Sequence, residues 1–185
     1  MIDTARLGEA ADRLQAFDVD ESGWLTEPSS LAIKVAHTLT HLEEDLAEQD
    51  FNNPFDAEWC LAPDAVMFAI RLGRWTGQVE GQLAEGYSTI NVLLPTPEQA
   101  SIVSSLSRDL PPILPQQVAF AEAATTLKNH LRERDSNDEL ASARRAARLL
   151  LYSADLQAEE HDFFLFRAFD ARLASLRSGL EVPQT

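Results

Sequence analysis

From Ser136 to Gly179 the chain carries neither glycine nor proline until its last residue, and Leu140, Ala147, Leu151, Ala158, Leu165, Phe169 and Leu176 keep one helical phase. Side chains recurring about every 3.5 residues share one helix face, whereas a strand would need alternation with a period of two. One long helix, or two helices broken near Ser153, fits the run, and Ser136 with Glu139 has the pattern of a capping box at its start. An apolar stripe of this length has to be buried, and other helices are the natural cover.

The remaining segments supply those helices. Leu7, Ala11 and Leu14 give a first amphipathic helix over Thr4–Phe17, which "DVDESG" breaks. Pro28, Ser29 and Ser30 start a second, with Leu31, Val35, Leu39, Leu42 and Leu46 on one stripe and an end near Asp50. After the loop "FNNPFD", a third is expected from Pro63 to about Ala84, with Phe68, Leu72, Trp75, Val79 and Leu83 as its core face. "YSTINVLLP" has strand composition but no partner strand, so it reads as an extended connector. Thr96, Pro97 and Gln99 open a short helix to about Ser107, "LPPILP" is non-helical, and Pro115 admits a helix through Arg134 carrying Phe120, Ala124, Leu127 and Leu131. The expected fold is therefore all-α: a bundle of about six or seven helices ending in a long helix or helix pair.

With 185 residues, 45% of them apolar, the chain can bury roughly 70% of its unfolded surface in one core. No repeat, low-complexity tract or linker divides it, so residues 1–185 are expected to form a single domain. The opening "MIDTARLGEAADRL" has the composition of neither a signal nor a transit peptide, and no apolar run is long enough to span a membrane. Cys60 is the single cysteine, which excludes an intrachain disulfide and suits a reducing, cytoplasmic setting.

Charge is distributed unevenly. Residues 1–70 contain 15 acids against Arg6, Arg13 and Lys34, a balance of −12, whereas residues 71–185 hold 15 acids against 12 bases. Such an acidic third repels nucleic acid and anionic lipid and steers basic proteins or cations toward itself. Its densest part is Glu43, Glu44, Asp45, Glu48 and Asp50, where the second helix ends. Acids there oppose the helix dipole, which favours cations at a C-terminus; either the exposed end tolerates them or a cationic partner offsets them.

Several residue patterns bear on chemistry. His37 and His41 stand one helical turn apart, a spacing open to metal ligands, but a wheel puts the apolar stripe at about 0–80° and the histidines with Glu44 and Glu48 at about 220–280°. No HExxH or paired ExxH motif accompanies them, so a solvated polar face is expected and no metal or other cofactor is assigned. On the last helical run, Asp155 and Asp162 share the apolar stripe and Glu159 borders it. Inward carboxylates need a counter-ion, a hydrogen-bond network, a metal or a proton. An ion pair with Arg71, Arg74 or Arg144 is one reading, a capping role for Asp155 a second, and a carboxylate-lined ligand pocket a third.

The stretch "GRWTGQVEGQL" places Gly73, Gly77 and Gly81 within the expected third helix, where each interior glycine costs about 0.5–1 kcal/mol relative to alanine. Spaced by four, they would form one narrow groove that a neighbouring helix or a flat ligand could approach closely. Within the same stretch, Thr76, Glu80 and Gly81 resemble the inhibitory motif of antitoxins that silence Fic-type nucleotidyl transferases, a match covering six residues. The resemblance implies a glutamate that occupies the space of the nucleotide's terminal phosphate and pairs with an arginine of the toxin. The Fic catalytic motif itself is missing, and "NNPFDAE" shares little with it beyond Pro-Phe.

No nucleophile elbow, phosphate-binding loop, dinucleotide fingerprint or Cys-x-x-Cys pair occurs, so no catalytic residue is assigned and the balance leans away from an enzyme. Cys60 reads as a packed thiol, and His130 and His161 as boundary residues. The expectation is an acidic cytoplasmic regulator, inhibitor or immunity-like factor that binds a basic protein; the alternative is a helical-bundle ligand or metal protein using the inward carboxylates and the glycine groove.

Overall fold

A computed structural model describes residues 2–21, 30–90, 114–132 and 139–179. Seven helices of nine or more residues are present among them, with no strand, so the fold is an all-α bundle as expected. In chain order they are α1 (Thr4–Glu21), α2 (Leu31–Glu48), a single turn α3 (Pro54–Asp56), a π-helical turn (Ala57–Leu61), α4 (Ala62–Trp75), α5 (Glu80–Ser88), α6 (Pro115–Arg132), α7 (Glu139–Glu160) and α8 (Leu165–Ser178). Pro28, Ser29, the Thr96–Ser107 helix with Pro97 and Gln99, the connector from Asn91 onward, "LPPILP" up to Ile113, the Arg134 terminus and Ser136 lie outside the described residues.

The centre of the bundle is α4. Every residue from Ala62 to Gly73 is buried, which is how a helix reads when neighbours surround it rather than cover one face. It packs against α7, α8, α2 and α5, while α6 packs on α7 and α2, and α1 lies against α8 and α5. Leu7, Leu14, Leu42, Leu61, Leu72, Leu83, Phe120, Leu127, Leu149, Leu150 and Phe169 are buried in a single continuous core.

Local chemistry explains most boundaries. Ser30 caps α2, its hydroxyl accepting from the Ile33 N–H at 3.4 Å, and the buried face of α2 includes Val35, Leu39 and Leu42 as the spacing predicts. The helix at "FNNPFD" begins earlier than expected, because the Asn53 side chain accepts from the Phe55 N–H at 3.0 Å and Pro54 occupies the first turn. Pro63 has no N–H to donate to the preceding turn; the helix accommodates it with a wider π turn just before, in which Ala62 N–H reaches back to the Ala57 carbonyl. α1 runs to Glu21, past the expected stop at Phe17, and the extra turn brings Asp18 against α4.

Two further boundaries depart from expectation. The third helix does not continue to Ala84: α4 ends at Trp75, Gly77 takes φ +71°, and α5 starts at Glu80. Val79, expected in the core, is therefore the exposed residue preceding α5, although Leu83 is buried. The final run is two helices, but Ser153 lies inside α7 and the break falls at His161–Phe164. Asp162 adopts φ +54° there, and the Phe163 N–H returns to the Ala158 carbonyl at 3.1 Å, the closing bond of a Schellman turn with aspartate in the usual glycine position.

Candidate functional site

Ionisable groups from the C-terminal part of α2, the π turn, α4 and α8 influence one another in a single electrostatic cluster. Asp45 follows buried Leu42 by one helical turn, which brings it to the edge of the buried face of α2, and it is half-buried. Arg172 of α8 donates to Asp64 of α4 through Nε at 2.9 Å and Nη2 at 2.8 Å, a two-point ion pair. Asp45 has no comparable partner: its Oδ2 is buried without a hydrogen bond. Burial, followed by the charges of Asp64, Glu44 and Glu48 and opposed by Arg172, pushes its carboxyl up to about 7. Cys60 from the π turn adjoins the same group, is buried, and is pushed up to about 11, chiefly by burial, so its thiol is protonated and unreactive at neutral pH.

The acidic residues of α2 thus divide by geometry. Glu43 pairs with Lys128 of α6 at 2.8 Å. Glu44 lies 3.2 Å from His41 Nδ1, and Glu48 is exposed. Asp50 is turned into a local loop, its Oδ1 accepting from the Asn52 backbone N–H at 2.9 Å, and that bond holds its carboxyl below the usual range. The five residues do not form one free surface. Elsewhere in the acidic third, Asp18 pairs with Arg71 and Asp64 with Arg172, so cations from the later sequence neutralise acids from the earlier one.

The histidine pair stays partly solvated, with the His41 side chain 44% exposed, but both rings also make packing contacts. His41 stacks on Phe68 of α4 with ring centroids 5.7 Å apart, and His37 meets His41 edge-on at 4.4 Å. Burial, then His41, then Arg71 hold His37 below the ordinary imidazole range. Among the described residues no group of three or more His, Cys, Asp and Glu side chains is arranged to hold a metal ion. His161 contacts the Phe51 carbonyl through Nε2 at 3.0 Å, and His130 is buried with Nδ1 unpartnered.

Asp155, Glu159 and Asp162 come together, but at the surface. They line an open groove of about 450 Å³ with Asp3, Arg6 and Phe164, the last 72% exposed. Asp155 is half-buried and accepts from the Tyr87 hydroxyl at 3.1 Å, while Glu159 and Asp162 are exposed. Tyr87 Oη in turn accepts from the Ile2 N–H at 2.5 Å, and burial pushes the phenol up to about 12. Only Asp155 turns partly inward, onto Tyr87; Glu159 and Asp162 do not, because the seam of α7 is made by Leu151 and Ala154 and the turn at Asp162 carries the last acid into solvent. The arginines expected as partners are engaged elsewhere: Arg71 with Asp18, Arg74 with the Ala11 carbonyl at 2.8 Å, and Arg144 with the Thr76 carbonyl at 2.6 Å.

The glycines do not form a single strip, since the chain leaves the helix at Gly77. A Cβ at Gly73 would meet Leu83 at 3.3 Å, whereas one at Gly77 or Gly81 would meet nothing within 4 Å. The six residues that resemble the Fic inhibitory motif straddle this turn, with Thr76 buried and its hydroxyl bonded to the Leu72 carbonyl at 2.7 Å. The close approach occurs instead at Gly86, on which Arg148 lies. The sequence offered no signal for that contact, because Gly86 stands outside the four-residue spacing and Arg148 reads as one of several arginines on α7. The chain matches no family model, no curated protein and no solved structure.

Proposed function

We propose that this chain is a regulatory interaction protein, inhibitory or immunity-like in role, that engages a basic protein through the C-terminal end of α2. The observation carrying this reading is the Asp45 carboxyl, half-buried with one oxygen unpartnered, in a field where Asp64, Glu44 and Glu48 outweigh Arg172. A carboxyl in that field retains a proton that a lysine or arginine side chain from a partner can replace, and the exchange converts repulsion into an ion pair. Exposed Glu44 and Glu48 supply the approach field, and the last turn of α2 contains no basic residue to offset it. A single cysteine, which leaves no intrachain disulfide, accords with a cytoplasmic setting. Among the described residues, no helix is long and apolar enough to cross a membrane.

The test is calorimetric titration with a lysine-rich peptide across pH and salt, repeated with Glu44→Gln/Glu48→Gln and with Asp45→Asn. Binding that weakens with salt, releases a proton near pH 6 and loses that release in Asp45→Asn supports the site. Equal binding by wild type and the two variants at every salt concentration removes it.

A second reading rests on the groove lined by Asp155, Glu159, Asp162, Asp3 and Phe164. Carboxylates beside an exposed aromatic ring suit a small organic cation, which gains both charge pairing and cation–π contact. Fluorescence or NMR titration with a quaternary ammonium probe, and its loss in Phe164→Ala, distinguishes this reading from the first.

A further inference from the structure

Arg148 is held in an unusual seat. Its guanidinium crosses α5 at Gly86, where a Cβ would collide with Nε and stand 2.7 Å from Cζ and 2.8 Å from Cδ. No side chain larger than hydrogen leaves the guanidinium in that position. The Nε–H is buried and has no hydrogen-bond partner, although a guanidinium N–H removed from water ordinarily finds an acceptor. One helical turn earlier on α7, Arg144 donates to the Thr76 carbonyl through Nε at 3.2 Å and Nη2 at 2.6 Å, which fixes its charge at the turn between α4 and α5.

These two arginines line an open pocket of about 490 Å³ with Gln78, Gln82, Glu85 and Thr89. Gln78 contributes a second unmet group, since its Oε1 is buried without a donor. The pocket is therefore walled by a guanidinium whose buried Nε–H lacks an acceptor and by an amide whose buried oxygen lacks a donor, so a ligand that draws either side chain toward it satisfies a group left unmet in the free protein. From this pairing we infer that the cleft between α5 and α7 binds a small hydroxylated oxyanion, its phosphate or carboxylate on Arg148 and Arg144 and its hydroxyl on Gln78. Arginine suits the anion because the planar fork gives directed bonds to oxyanion oxygens. Glu85 on the same wall disfavours polyanions such as nucleic acid and restricts the site to a ligand of low charge.

Two probes test the site by NMR on the full chain: inorganic phosphate and glycerol 3-phosphate, each at constant ionic strength. Saturable shifts at the Gly86 amide and the Arg148 Nε–H are expected, with tighter binding of the glycerol ester. Arg148→Met should weaken both probes by about tenfold or more, the equivalent of one lost charge-assisted bond. Gly86→Ala displaces the guanidinium while retaining every charge, and should weaken both probes in the same direction. Gln78→Leu should abolish only the advantage of the ester over phosphate. If Arg148→Met does not fold, Gly86→Ala and the wild-type shift map decide. Shifts scattered over the surface, or unchanged affinity in Gly86→Ala and Arg148→Met, would overturn the inference.

Discussion

Arg71, in the middle of the central helix, holds Asp18 of α1 with its Nε 3.2 Å from each carboxylate oxygen, and both side chains are about 6% exposed. The pair joins the N-terminal helix to α4 at a depth where neither charge is hydrated. Removing one partner leaves the other buried and uncompensated, which costs about 3–5 kcal/mol, whereas replacing both with apolar groups of similar volume is close to neutral. Asp18→Ala should therefore lower the urea midpoint sharply, and Asp18→Leu/Arg71→Met should recover most of the loss. A small effect from Asp18→Ala would mean that the guanidinium can reach water.

The turn between α4 and α5 makes opposite predictions for two glycines four residues apart. Gly77 at φ +71° occupies a conformation that costs an L-residue about 1–2 kcal/mol, so Gly77→Ala should destabilise despite open space around the new methyl. Gly81, in the first turn of α5 and equally open, should tolerate alanine with a gain of up to about 1 kcal/mol. Denaturant unfolding of the two variants checks both signs. A gain at Gly77 would restore the continuous helix that hydrophobic spacing suggests.

That contrast also marks where sequence reasoning succeeds and stops. The helical class and the stripes of α1, α2 and α6 follow from periodicity, because one buried face is all those helices need. Leu72, Trp75, Val79 and Leu83 keep the helical phase through a break, so phase alone conceals the left-handed Gly77. Asp162 ends α7 in a conformation normally marked by glycine and leaves no compositional trace. Charge counts along the chain likewise concealed the sites. Asp18, Asp64 and Glu43 meet cations from distant helices, and only packing distinguishes them from Asp45, whose carboxylate oxygen meets none.

Asp45 gives stability a distinctive pH dependence. Its carboxyl titrates at about 7 in the folded protein, above the value near 4 expected for an unfolded aspartate. Between those values the folded state binds the extra proton, so stability falls as pH rises through this window, by about 2–4 kcal/mol in all. Asp45→Asn cannot ionise and should be more stable than wild type at pH 8, with the difference vanishing near pH 4. Urea unfolding at several pH values measures this, and parallel pH profiles for the two proteins would show that Asp45 is solvated as an ordinary carboxylate.

The turn at Asp162 sets the direction in which α8 leaves α7, and with it the position of Arg172 beside Asp64. At φ +54° an aspartate is strained where glycine is not, although glycine loses more freedom on folding. Asp162→Gly should therefore stabilise by a few tenths to about 1 kcal/mol while leaving the fold intact. A β-branched residue is penalised most in the left-handed region, so Asp162→Val should destabilise by about 1–2 kcal/mol and loosen α8 first. Hydrogen exchange at Ala168, Phe169 and Leu173, all buried on α8, reports that loosening directly. If α7 and α8 instead formed one continuous helix in solution, valine would be accepted with little change and glycine would be the destabilising substitution.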